Sequence, residues 1–156
     1  MNWESKSVLV TGAAGFIGSH LTGKLIELGA NVRALIKYNS RGDYGNLKFI
    51  DPAIIKEIEI IQANICDEDA VNKVMKEIDY VFHLGALISI PYSYNYPKDV
   101  IYTNVFGTLN ILQAALINEP SKIVHTSTSE IYGTAQYVPI DEKHPNQVQS
   151  PYAASK

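Results

Sequence analysis

Short apolar runs alternate with longer stretches whose apolar residues recur every three or four positions, and the alternation fills most of the chain. Residues 7–11, Ser-Val-Leu-Val-Thr, read as a buried strand closed by glycine. From Phe16 onward, Ile17, Leu21, Leu25 and Leu28 keep helical spacing, and Gly29 suits the helix end. Residues 32–36 read as a second strand and 37–48, polar and glycine-bearing, as a long loop. Residues 58–65 read as a third strand. The acidic run 67–69 then opens a helix, where carboxylates suit the positive end of the dipole. Residues 79–84 give a fourth strand, followed by an aromatic loop over 91–97. A long helix follows, with the stripe Ile101, Val105, Leu109, Leu112 and Leu116, ending at Pro120. Residues 122–126 form a fifth strand, and a polar loop leads to a helix starting near Pro151.

Strands and helices alternating over such short connections predict an α/β fold: a parallel sheet with helices on both faces and right-handed crossovers. No repeat or linker divides the chain, so residues 1–156 read as one domain. The 46% hydrophobic and 19% charged content fits a soluble globular protein. A net charge of −3 argues against nucleic acid or an anionic membrane as partner. The first residues lack the apolar run of a signal peptide, and no stretch approaches the ~20 apolar residues of a membrane span. With Cys66 as its one cysteine the chain forms no internal disulfide, and a cytoplasmic home is expected. His83, His125 and His144 show no metal-ligand spacing, so no metal is expected. Tyr92, Tyr94 and Tyr96 read as packing of the proline-flanked loop.

Chemistry enters at the first strand–helix junction. Residues 11–18 read Thr-Gly-Ala-Ala-Gly-Phe-Ile-Gly, a glycine loop between a strand and a helix, the context of a dinucleotide fingerprint. Gly12 allows the tight turn, Gly15 the approach of a pyrophosphate, and Gly18 close helix packing, with the helix N-terminus facing the anion. The fold is therefore expected to be a Rossmann-type doubly wound sheet of about five strands in order 3-2-1-4-5. Where NAD-preferring folds carry a carboxylate after the second strand, this chain has Lys37, Ser40 and Arg41. These are donors suited to a 2′-phosphate, so NADP is favoured over NAD. At the far end Tyr152 and Lys156 stand four apart, on one helical face. An ammonium beside a phenol favours the phenolate, a proton acceptor for an alcohol that gives up hydride.

Five segments occur in the order typical of extended short-chain dehydrogenase/reductases, which include nucleotide-sugar epimerases and dehydratases. They are the Gly12, Gly15, Gly18 loop; residues 83–86 (His-Leu-Gly-Ala); 104–108 (Asn-Val-Phe-Gly-Thr); 127–133 (Ser-Thr-Ser-Glu-Ile-Tyr-Gly); and Tyr152 with Lys156. The chain resembles that family along essentially its whole length. Over residues 86–94 and 125–144 it looks most like the N-acetylglucosamine-nucleotide 4,6-dehydratases of legionaminic acid synthesis. The resemblance assigns Gly12, Ala14, Gly15, Phe16, Ile17, Gly18, Lys37, Ser40 and Arg41 to the cofactor. It adds Asn64 and Ile65 beside adenine, and Leu84, Gly85, Ala86 and Thr126 toward the nicotinamide half. Asn104 stands where the family has a helix-distorting Asn that supports the catalytic Lys through water.

The resemblance also places Thr128 against the reacting sugar hydroxyl beside Tyr152. Epimerases follow that position with small, non-ionisable residues, and dehydratases with an acid/base pair; here Ser129 and Glu130 follow. This implies a nucleotide-sugar 4,6-dehydratase, with a 4-epimerase as alternative and a non-catalytic dinucleotide-binding module as a reading of another class. Ser129 stands where some dehydratases carry Asp, so the leaving hydroxyl takes its proton from Glu130 or through a relay. UDP- or GDP-N-acetylglucosamine is the implied substrate and a homodimer the implied assembly. The chain reads as the N-terminal half of such an enzyme, without the C-terminal substrate-binding part. It is expected to bind cofactor without turnover, with Tyr152 and Lys156 frayed because one helical turn nucleates poorly. The fifth strand is expected to present an open edge.

Overall fold

The computed structural model describes residues 2–156. Its elements begin β1 (Ser7–Thr11), α1 (Phe16–Glu27), β2 (Asn31–Ile36), α2 (Pro52–Ile55), β3 (Glu59–Gln62) and α3 (Glu68–Met75). They continue β4 (Tyr80–His83), α4 (Ile90–Asn95), α5 (Pro97–Ile101), α6 (Gly107–Asn118), β5 (Lys122–His125) and α7 (Pro151–Ala154). The chain divides into two compact units, one running to Gly85 and including Gly107–Thr126, the other Ala86–Phe106 with Ser127–Lys156.

The first unit holds the whole sheet, five parallel strands in the order β3-β2-β1-β4-β5. It is the expected Rossmann-type arrangement. Side chains alternate across a strand, so the central β1 feeds two cores. Val8 and Val10 join Val32, Ala34 and Ile36 under Leu25 and Ile26 of α1. Leu9 joins Leu35 and Val81 against Val71, Val74 and Met75 of α3 and Ile111 of α6. Both faces are therefore covered, and the backbone at the sheet centre is sealed from water. Asp67 caps α3 by accepting from Ala70 N–H at 3.0 Å. At the other end of α3, Arg33 on β2 donates to the carbonyls of Val74 and Lys76, each at 2.9 Å, while its Nε holds Glu59 at 2.7 Å. Lysine could not make this fork, which ties β2, β3 and α3 together.

Two departures from the sequence pattern have clear causes. The loop over 37–48 is shorter than expected: a 3-10 turn covers Gly45–Phe49, and α2 follows, with Asp51 accepting from Ala53 N–H. The second departure is the face of α6. Leu109, Leu112 and Leu116, read as its packing stripe, are exposed, and the buried positions are Gly107, Ile111, Ala114 and Ala115. The helix is apolar on every side, so periodicity cannot choose its inner face. Close approach chooses it: a Cβ on Gly107 would lie 2.7 Å from Ile65. The 22-residue stretch Pro97–Asn118, within which an 18-residue window reaches a mean hydropathy of 1.5, also corrects the expectation that nothing in the chain has the length and apolarity of a membrane span.

In the second unit the aromatic stretch is helical rather than a loop. Ser89 caps α4 by accepting from Tyr92 N–H, and Pro91 occupies its first turn, where a missing N–H costs nothing. Tyr92 stacks on Tyr96 at 4.8 Å and donates to Asp99 at 2.6 Å, while Tyr94 donates to the Gln149 carbonyl at 2.7 Å. The backbone of Tyr102–Phe106 then widens into a π turn. The segment before α7 is organised around His144, which is buried. Its Nδ1 donates to the Pro145 carbonyl at 3.0 Å and its Nε2 accepts from Gln136 N–H at 2.9 Å. Tyr137, donating to Asp141 at 2.6 Å, has its phenol pushed up to about 12 by that bond.

Candidate functional site

In the first unit the glycine loop has the predicted form, and its glycines are needed for different reasons. Gly12 has φ +69, and a Cβ there would meet Gly85 N at 2.8 Å. A Cβ on Gly18 would collide with the Gly12 carbonyl. Gly15 is the N-cap of α1 without a side-chain cap, and it is exposed. Amides at the first turn of a helix have no partner within it, so this end offers N–H groups and a positive field to an anion. Phe16 and Ile17, at the mouth of that turn, are 71% and 63% exposed. An open, donor-rich turn that side chains cannot enter fits a dinucleotide diphosphate.

The segment after β2 closes against this loop. Asn46 N–H donates to the Ala14 carbonyl at 2.9 Å, and Gly45 lies so near that a Cβ would be 2.7 Å from the same oxygen. Lys37 and Ser40 are exposed, and Arg41 reaches Asp43 at 3.6 Å. The Asp43 carboxyl is held below the ordinary carboxylate range, first by Gly45 N–H and then by Asn39 and Arg41. The basic residues expected near a 2′-phosphate thus share their loop with one carboxylate. Asn64 turns its Oδ1 to Cys66 N–H at 3.1 Å, and Ile65 packs on Gly107, so the Ile65 side chain belongs to the core.

A buried hydroxyl–imidazole chain under the loop was not legible beforehand as a unit. Thr11 Oγ1 accepts from Gly85 N–H at 2.9 Å and shares a hydrogen bond with His83 Nδ1 at 2.7 Å. His83, 1% exposed, shares a second hydrogen bond from Nε2 with Thr108 Oγ1 at 2.9 Å. The chain ties the ends of β1 and β4 to the first turn of α6. Leu84 N–H donates to the Thr11 carbonyl at 3.3 Å and Thr126 N–H to that of His83 at 3.1 Å, which aligns the strand ends carrying Leu84, Gly85 and Thr126.

The second unit contains the predicted proton-handling residues Thr128, Ser129, Glu130, Tyr152 and Lys156. Ser150 Oγ accepts from Ala153 N–H at 3.0 Å, Pro151 follows, and α7 forms with Tyr152 and Ala153 buried. In place of a frayed end this structure has a capped turn; serine before proline is a helix-start pattern. Ser127 Oγ donates to the Lys156 carbonyl at 3.3 Å. Burial pushes the Lys156 ammonium below its ordinary value of 10.5. Thr128 caps a 3-10 turn over Ser129–Tyr132 by accepting from Glu130 N–H at 3.3 Å, which leaves Ser129 and Glu130 exposed. Ala86, Leu87, Ile88, Ser89 and Tyr92 line an apolar groove of about 340 Å³.

Asn104 differs from expectation. It is 3% exposed and accepts from Leu87 N–H at 2.7 Å. Its two amide protons go to the Leu87 carbonyl at 3.0 Å and Ser155 Oγ at 2.7 Å. The side chain therefore has no proton left for a water beside Lys156, and its burial takes it out of a cofactor contact. The sequence signal for this was a polar residue amid a long apolar helix, which pointed to a role but not to the partner.

The family model for GDP-mannose 4,6 dehydratase matches residues 9–156. A dTDP-glucose 4,6-dehydratase of Streptomyces antibioticus is 36% identical over 96% of this chain and 45% of its own. A UDP-N-acetylglucosamine 4-epimerase from Methanobrevibacter ruminantium, solved with UDP-N-acetylmuramic acid, superposes with a TM-score of 0.87 at 33% identity. That match covers 97% of this chain and 47% of the epimerase. A dTDP-glucose 4,6-dehydratase from Streptomyces venezuelae, solved with NAD, gives 0.82 at 31% identity over 96% of this chain and 48% of its own. The chain thus spans about half the length of the curated relatives it matches.

Proposed function

The chain belongs to the GDP-mannose 4,6-dehydratase family, and from that premise we propose that the whole protein is a 4,6-dehydratase acting on UDP- or GDP-linked N-acetylglucosamine. The observation that carries the choice of dehydration is the exposed Glu130 carboxylate, two residues after Thr128 on the 3-10 turn. An epimerase needs one base at the C4 hydroxyl; loss of water across C5 and C6 needs a second base, and Glu130 supplies it.

The residues divide the work. Gly12, Gly15 and Gly18 hold the dinucleotide, whose nicotinamide, when bound, takes hydride from C4 and returns it at C6. Tyr152 receives the C4 hydroxyl proton, with Lys156 favouring the phenolate, and Thr128 orients that hydroxyl. The 4-keto group acidifies C5–H, and Glu130 takes that proton. Glu130 then protonates the departing C6 hydroxyl, so that water leaves and no net proton is consumed in the elimination. The final hydride at C6 is matched by a proton taken up at C5 from solvent, while Tyr152 releases the C4 hydroxyl proton to solvent, so the cycle balances to a 4-keto-6-deoxy sugar nucleotide and one water.

Lys37, Ser40 and Arg41 support NADP as the dinucleotide; related structures solved with NAD support the alternative. A 4-epimerase is the second reading, favoured by the fit to the methanogen epimerase. The exposed Leu109, Leu112, Leu116 and Ile117 of α6 support a homodimer. The 156-residue chain alone is read as binding the dinucleotide without turnover. Replacing Glu130 by Gln tests the central role. Water loss should fall roughly 100- to 10,000-fold, while nicotinamide absorbance still reports cofactor reduction on adding sugar nucleotide. Undiminished keto-deoxy product from that variant would remove Glu130 from the mechanism.

A further inference from the structure

Ser155 lies between Tyr152 and Lys156 and has no role in the proton transfers just described, yet it is 9% exposed and fully engaged. Its hydroxyl accepts from Asn104 Nδ2 at 2.7 Å and donates to the Tyr152 carbonyl at 2.7 Å. The direction of the chain is fixed. Asn104 Oδ1 is taken by Leu87 N–H and one Nδ2 proton by the Leu87 carbonyl, so only a donor remains to face Ser155. Ser155, having accepted, has one proton to give, and the Tyr152 carbonyl takes it.

The surroundings show why such a link matters. Helix α7 is four residues long, and Ser155 is its C-cap, where carbonyls lack intrahelical partners. So short a helix does not fix its own last turn. Asn104 does stand on a fixed element: it sits in the π turn Tyr102–Phe106 and grips both polar groups of Leu87. The Leu87–Asn104–Ser155–Tyr152 line therefore runs from a clamped backbone to the turn that presents the phenol and the ammonium.

We propose that Ser155 is a positioning residue: through Asn104 it sets the turn carrying Tyr152 and Lys156 in register with the π turn. This rests on the proposed role of Tyr152 as proton acceptor and adds the residue that aims it. A sub-ångström error in aim costs rate and spares binding, because the interaction matters most as the proton moves.

The test compares Ser155→Ala and Ser155→Thr in the whole protein, with UDP- and GDP-N-acetylglucosamine as probes. The alanine variant should lose roughly 10- to 100-fold in kcat. Its KM and dinucleotide Kd should stay within about twofold, with cooperative thermal unfolding retained. Threonine, which keeps the hydroxyl, should recover most of the rate. If the alanine variant does not fold, Ser155→Cys, close to serine in size, is read in its place. Alanine at wild-type kcat, threonine as slow as alanine, or alanine and cysteine both failing to fold would each overturn the inference. Wild-type protein that forms no keto product would overturn the proposed reaction and this inference with it. Turnover by wild type matched by alanine overturns the inference alone.

Discussion

Lys156 shows at one residue how packing and chemistry combine. Burial disfavours its charged form, so the folded chain releases this proton below 10.5, while the unfolded chain keeps the ordinary value. Between the two values the unfolded state holds more protons, and linkage makes stability rise with pH. Below the folded value the burial penalty is fully present. A side-chain NMR titration should place the Lys156 midpoint under 10.5; a midpoint at or above it would contradict the burial argument. Motif spacing identified Tyr152 and Lys156 as candidates, and the family resemblance Thr128 and Glu130. It did not show Ser150 or Ser155, since a serine's value depends on which backbone group it meets, and that is set by folding.

At the scale of elements, α6 gives the sharpest test of packing. Ile111 is fully buried and Leu116 is 80% exposed, although both lie on one apolar helix. Ile111→Ala should cost about 2–5 kcal/mol of unfolding free energy. In the 156-residue chain, diluted until monomeric, Leu116→Ala should change it by no more than ~0.5 kcal/mol, both read by denaturant titration. Equal losses would mean that the helix face has been assigned wrongly. The strands were legible because β-branched runs bounded by turn residues have few alternative readings; β1 falls where the pattern put it. The α6 face was not, because small residues at 107, 114 and 115 carry little hydrophobicity yet decide how closely the helix docks. The aromatic stretch was misread for a related reason. Two prolines suggested a loop, but Pro91 and Pro97 each stand in the first turn of a helix, where proline is welcome.

Across the whole molecule, the parts have distinct duties. The sheet-bearing unit offers an anion-ready turn backed by the Thr11–His83–Thr108 chain. The other unit holds the Tyr152 phenol, the Lys156 ammonium and the Glu130 carboxylate on or beside short turns that are capped rather than long. The most direct test is to incubate the whole protein, loaded with NADP or NAD, with UDP- and GDP-N-acetylglucosamine and weigh the product. The account predicts a sugar nucleotide lighter by one water, with no net change in cofactor. A product of unchanged mass inverted at C4 would contradict it.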